Sequence, residues 1–304
     1  MKVAVTGGAG FIGSNIIKKL VKNHDVLSLD KNPVSNQNKI DGADYLKCDI
    51  TDSESVLEKT KGTDVIFHLA ALRSIKDSME NPLAYNKANI DGTVNVLEAA
   101  RKNGCGQVVF TSTSSVYGNS YELPQKENSA LKPFNIYGLT KLAGEHYCSI
   151  YSETFSLKTI AFRPFNVYGP RQEINAGVIP AFINSAITGK EVPFYGSGEQ
   201  KRDFVYVKDL SDCYIMAMNS ELAGGLSINI GSGKNYSIKE ILEKVEKISG
   251  KKVNMKNAGS LIGDVKETLA DISIAKKSLG WEPKYSLEKG LKETFEWYSN
   301  NSNF

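Results

Sequence analysis

Residues 2–14 read KVAVTGGAGFIGS. A short apolar run leads straight into a glycine turn, and an apolar stripe at Ile12, Ile16, Ile17 and Leu20 follows with helical spacing. Gly7, Gly10 and Gly13 therefore stand between a strand and a helix. Each has its own physical reason: one glycine permits the tight turn, another lets a pyrophosphate approach the backbone, and a third lets helix pack on strand. The helix N-terminus beyond them offers free amides and a positive dipole end to phosphate. The next strand-like run, DVLSLD, ends on Asp30, where a carboxylate is expected to bind the adenosine ribose hydroxyls. A carboxylate there repels a 2′-phosphate, which favours NAD over NADP.

Outward from that turn, short apolar runs alternate with helical patterns. ADYLKCDI (43–50), TDVIFHLAA (63–71), QVVFTSTSSVYG (107–118) and KTIAFRPFNVYG (158–169) read as strands running into turns. AYNKANIDGTVNVLEAARKNG (84–104) reads as a helix stopped by Gly104, and NIYGLTKLAGEHYCSIYSETF (135–155) as another. Such alternation predicts an α/β fold, a Rossmann-type doubly wound parallel sheet covered on both faces. The far half is less regular. Residues 177–210 carry several loop signals, LSINIG (226–231) looks like a strand, and SIKEILEKVEKISG (237–250) is an amphipathic helix with Ser237 as N-cap and Gly250 after it. Residues 286–301 are again helical. The expected division is a dinucleotide-binding domain of residues 1–170 plus about 200–232, and a smaller α/β substrate domain of about 171–199 plus 233–304.

Bulk properties narrow the function classes. The 304 residues are 41% hydrophobic and 23% charged, the ordinary globular mix, and 37 Lys and Arg against 34 acids leave a net charge of only +3. That balance gives no footprint for nucleic acid or an anionic membrane. The start lacks the apolar core of a signal peptide and no run is long enough to span a bilayer, so a soluble cytoplasmic protein is expected. Cys48, Cys105, Cys148 and Cys213 lack paired spacing, and His24, His68 and His146 are isolated. Buried thiols are expected, with no disulfide and no metal site.

Tyr137 and Lys141 lie four residues apart in a helical segment, which puts both on one face. Tyr285 and Lys289 repeat the spacing. Spacing alone leaves a proton-transfer pair and surface decoration both open.

TGGAGFIGS, CDI at 48–50, HLAA at 68–71, NIDGTVNVLEAA, STSSVYG, YGLTK, RPFNVYGPRQ and KRDFVYVKDL occur in this order over nearly the whole length. With them the chain resembles the extended short-chain dehydrogenase/reductases, and within these the nucleotide-sugar epimerases and dehydratases. The resemblance implies NAD as cofactor, bound by Gly7, Gly10, Phe11, Ile12, Gly13, Asp30, Asn32 and Asn89. Asp49 and Ile50 would hold the adenine, and Leu69, Ala70 and Ala71 would line the cofactor, with Phe165 near the nicotinamide. It implies Thr113, Tyr137 and Lys141 as the catalytic set. Lys141 would bind the cofactor ribose and lower the Tyr137 pKa, and Thr113 would hydrogen-bond the reacting sugar oxygen. A free phenol titrates near ~10, and a neighbouring ammonium together with an oxidised nicotinamide favours the phenolate. Tyr285 and Lys289 have no such surroundings and read as surface residues.

The same resemblance implies a UDP-sugar substrate. Asn166 and Arg202 would grip the diphosphate, a loop around Val178 and the stretch 192–195 ending in Tyr195 would meet the base, and Arg73, Asp264 and Thr268 would join the substrate site. Dehydratases of the family carry Asp-Glu after the catalytic threonine, and the sugar-acid decarboxylases carry a glutamate in that turn. Here Ser114 and Ser115 stand there, and a hydroxyl is a poor general acid. A 4-epimerase is therefore expected, acting on UDP-glucose and UDP-galactose through a 4-keto intermediate, with a TDP- or GDP-sugar enzyme or a non-catalytic NAD sensor as alternatives. LIGD at 261–264 has Leu261 where the family has arginine, removing one expected grip on the diphosphate. Thr268 in place of a large aromatic would admit N-acetylated sugars. Relatives dimerise through the helices near 80–102 and 135–154, so a homodimer is expected.

Overall fold

A computed structural model describes residues 1–120, 122–222, 224–259 and 265–301. The first half alternates as its apolar runs require: β1 (Lys2–Thr6), α1 (Phe11–Leu20), β2 (Asp25–Asp30), β3 (Ala43–Lys47), α2 (Ser53–Lys59), β4 (Val65–His68), α3 (Ile75–Glu80), α4 (Pro82–Tyr85), α5 (Gly92–Lys102), β5 (Gln107–Thr111), α6 (Ile136–Phe155) and β6 (Lys158–Pro164). The remainder is β7 (Asn166–Tyr168), α7 (Val178–Thr188), β8 (Val192–Phe194), β9 (Lys201–Tyr206), α8 (Val207–Met218), β10 (Leu226–Ile230), β11 (Asn235–Ser237), α9 (Ile238–Ser249), β12 (Met255–Asn257) and α10 (Leu287–Asn300).

Seven strands form one parallel sheet in the order β10-β6-β5-β4-β1-β2-β3. The chain winds one way from β1 to β3 and the other way from β4 onward. The order thus reverses between β1 and β4, where a crevice opens at the strands' carboxyl ends. Both faces are covered, which is why β4 and β5 are buried at every residue. One face packs α1 and α8 through Ile16, Ile17, Leu20, Leu210 and Tyr214. The other packs α2, α5 and α6 through Val56, Val96, Leu97, Cys148 and Tyr151. A third cluster, with Tyr168, Phe182, Ile241, Leu291 and Tyr298, fills the smaller layer around β7, β9 and β11. All four cysteines are buried and unpaired.

Three readings change. Residues 84–104 are not one regular helix: Asn86–Asp91 form a π-helical turn before α5. The loop-like stretch 177–210 contains all of α7, both β8 and β9, and the start of α8, so Val178 opens a helix rather than sitting in a loop. Tyr285 is half-buried: its ring lies 4.6 Å from that of Tyr206, with the exposed Lys289 ammonium 4.4 Å from the Tyr285 ring centroid. The Ser237 cap is present as a full capping box with Glu240.

Candidate active site

At the switch point the turn after β1 is pressed against the turn after β4. Gly7 has φ +73°, and a Cβ there would lie 2.8 Å from the Ala70 amide nitrogen. A Cβ on Gly13 would lie 2.4 Å from the Gly7 carbonyl oxygen, so only glycine lets α1 start this close. Gly10 caps α1 without a side chain, and no acid occupies the first turn. The amides at this end are thus left for an anion.

Behind the turn lies a buried polar chain that sequence reading missed. The Thr6 hydroxyl accepts from the Leu69 and Ala70 amides at 3.2 Å and shares a 2.7 Å hydrogen bond with His68 Nδ1. His68 Nε2 meets the Thr93 hydroxyl at 3.1 Å, and Thr93 donates to the Asn89 carbonyl. Burial pulls His68 down to about 3, so the ring is neutral at physiological pH. Asn89 accepts from the Leu72 amide at 2.8 Å and donates to the Leu72 carbonyl at 2.9 Å and to the Thr140 hydroxyl at 3.0 Å. Its side chain is fully used in holding residue 72 to α6, so it stands behind the crevice wall rather than on it. The signal was available: polar residues inside otherwise apolar strand and helix patterns.

The crevice holds about 410 Å³. It is lined by the turn residues Gly7, Gly10, Phe11, Ile12 and Gly13, by Asp30, Asn32, Asp49 and Ile50, and by Leu69, Ala70, Ala71 and Arg73 together with Tyr137 and Lys141. Asp30 Oδ1 accepts from the Asn32 amide at 3.0 Å. The Thr51 amide and hydroxyl both donate to Asp49 and hold its carboxyl below the usual range. Phe165 is off this wall, packed with Val116, Tyr117 and Ala270.

Helix α6 brings Tyr137 and Lys141 to the same crevice because four residues return to one face. Its N-cap Asn135 accepts from the Gly138 amide at 2.7 Å, fixing the turn that carries Tyr137. Thr113 caps the short turn Ser114–Tyr117, accepting from the Ser115 amide at 3.2 Å. Burial pushes the Tyr137 phenol up, while a hydrogen bond from Thr113 and the field of Arg73 act in the opposite direction. Lys141 is pulled down to about 7 by burial, with its ammonium 4.6 Å from the Phe110 ring centroid. In the protein alone burial outweighs the hydrogen bond and the nearby cation at the phenol.

A second cavity of about 610 Å³ is lined by Asn166, Val178, Pro193, Phe194, Tyr195 and Arg202, among others. The rings of Phe182 and Phe194 stack along it at 6.3 Å and 16°. Thr268 is buried off this wall, its hydroxyl accepting from the Asp203 amide at 3.3 Å. Leu261 and Asp264 lie outside the described residues. No helix among the described residues is long and apolar enough to cross a membrane.

Residues 3–231 match the model of the NAD dependent epimerase/dehydratase family. A UDP-glucose 4-epimerase of Mycolicibacterium smegmatis is 34% identical over 99% of this chain and 100% of its own length. A UDP-glucuronate 4-epimerase of Thermodesulfobacterium geofontis is 33% identical, over 98% of this chain and 96% of its own. Among solved structures, the UDP-glucose 4-epimerase of Thermotoga maritima with UDP-glucose superposes with a TM-score of 0.94 at 34% identity, covering 100% of both chains.

Proposed function

The chain belongs to the NAD dependent epimerase/dehydratase family, and on that premise we propose that it is a UDP-sugar 4-epimerase. The observation that carries this reading is that Tyr137, Lys141 and Arg73 line the same crevice as the Gly7–Gly13 turn. The glycine cradle, the unused amides of α1 and Asp30 fit NAD; a Cβ at Gly7 or Gly13 would collide with the backbone across the turn. When bound, NAD supplies reversible acceptance of a hydride from the sugar carbinol.

The chain's own residues handle the proton. The Tyr137 oxygen takes the proton of the sugar C4 hydroxyl and later returns it, and Thr113 holds the reacting oxygen by hydrogen bonding. Burial keeps the phenol protonated in the protein alone. The positive charge of the oxidised nicotinamide, added to that of Arg73, favours its ionisation. Lys141 binds the ribose. The turn after Thr113 carries Ser114 and Ser115 and no carboxylate, so no acid stands there to expel water, and the ketone turns over and is reduced on its other face. Asn166 and Arg202 hold the diphosphate in the second cavity while the sugar rotates, with the base near Val178 and Tyr195. On this reading residues 1–170 and about 200–232 serve the cofactor and the rest the nucleotide.

A homodimer completes the proposal. Met79 and Leu83 beside α6, and Leu139 and Ile150 on it, expose apolar side chains at 56%, 81%, 51% and 51%. A cluster of that kind marks an interaction surface. Incubating the protein with UDP-galactose and UDP-N-acetylgalactosamine, without added reductant, tests the activity. UDP-glucose should form from the first; a dehydrated product or none would refute the reading.

A further inference from the structure

Sequence identity does not separate neutral from acidic sugars here, since the glucose and glucuronate enzymes match at 34% and 33%. The crevice wall does carry information on this point. Arg73 Nη2 and Glu173 Oε2 meet at 2.6 Å across 100 residues of chain, and both line the crevice that holds Tyr137. Their side chains are 56% and 73% exposed, so the pair sits at the rim and adds little to stability. Next to Glu173, Gln172 lines the same wall and is only 7% exposed. Its Nε2 donates to the Ala176 carbonyl at 3.0 Å, but its Oε1 is buried with no donor among the described residues.

This wall thus offers one exposed acceptor, the Glu173 carboxylate, and one cation already paired with it. The 6-hydroxyl of a neutral hexose can donate to such an acceptor. A uronate carboxylate has no proton to give and meets a like charge, and it hangs from C5, the carbon next to the reacting C4. It must therefore lie near Tyr137 whenever C4 does. We propose that Glu173, by holding Arg73 and facing the sugar with negative charge, makes the site select neutral nucleotide hexoses against their 6-carboxylates. The inference rests on the 4-epimerase reading for the placement of C4.

The test is binding of UDP-glucose and of UDP-glucuronate to the NAD-loaded protein by calorimetry. The wild type should favour UDP-glucose, and Glu173→Gln should shift the ratio toward UDP-glucuronate by about tenfold or more, as removal of a repulsive element does. Adding Arg73→Ala should abolish that gain. A wild type that binds UDP-glucuronate as tightly as UDP-glucose, an unchanged ratio in Glu173→Gln, or a double variant that keeps the full gain would each overturn the proposal. Turnover of UDP-glucose by the wild type in the same samples tests the epimerase reading separately, because the binding ratio is measured whether or not product forms.

Discussion

Tyr137 is caught between opposing influences. Burial favours its neutral form, while Thr113 and Arg73 favour the anion. If its oxygen carries the proton, Tyr137→Phe should lower turnover by about 10²–10⁴-fold while bound NAD, read from absorbance after denaturation, stays at the wild-type level. Near-wild-type turnover would remove Tyr137 from its role. Lys141 gives a pH signature in the NAD-stripped protein. Burial pulls it to about 7 in the folded chain, against ~10.4 unfolded. Below pH 7 both states hold the proton and the folded state bears the full penalty of a buried charge. Between 7 and 10.4 the folded state has released it while the unfolded state keeps it, so stability rises with pH across that window. Lys141→Met should accordingly be more stable than wild type in urea at pH 6, with the gap closing by pH 10. A gap that does not depend on pH would rule this out.

Among the elements, the π-helical turn Asn86–Asp91 matters most for the site. It carries Asn89, which ties residue 72 to Thr140 and so ties the crevice wall to α6. Asn89→Ala removes three hydrogen bonds, two to the half-buried Leu72 backbone and one to the Thr140 hydroxyl, and should destabilise the chain by about 1–3 kcal/mol, measured as a lower urea midpoint. An unchanged midpoint would contradict that role. The turn could not be read from the sequence, because Tyr85, Asn89 and Thr93 keep helical spacing and the apolar period barely registers one extra residue. The strands of the large sheet were legible because buried parallel strands are continuous apolar runs. Helix α8 was legible in principle, as Leu210, Cys213, Tyr214 and Ala217 recur on one face, but it follows β9 without a turn signal. The glycine turn and the Tyr137–Lys141 face could be read because backbone geometry dictates them. The Arg73–Glu173 contact could not, since 100 residues separate its partners.

At the scale of the whole molecule, Met79, Leu83, Leu139 and Ile150 on α3, α4 and α6 expose their apolar side chains. Sedimentation should show a dimer at micromolar concentration, and Ile150→Asp, which sets a charge among them, should yield monomers with unchanged NAD content. A wild-type monomer under those conditions would sink the proposed assembly. The architecture otherwise divides labour by layer. The strand-order reversal between β1 and β4 opens the first crevice, and the layer around β7, β9 and β11 supplies the second cavity. The central claim is that one hydrogen leaves C4 of the sugar and returns to the same carbon, with Tyr137 carrying only the hydroxyl proton. UDP-galactose deuterated at C4, converted in ordinary water without added cofactor, measures this directly. The UDP-glucose formed should keep its deuterium at C4, whereas loss of the label to solvent would contradict the account.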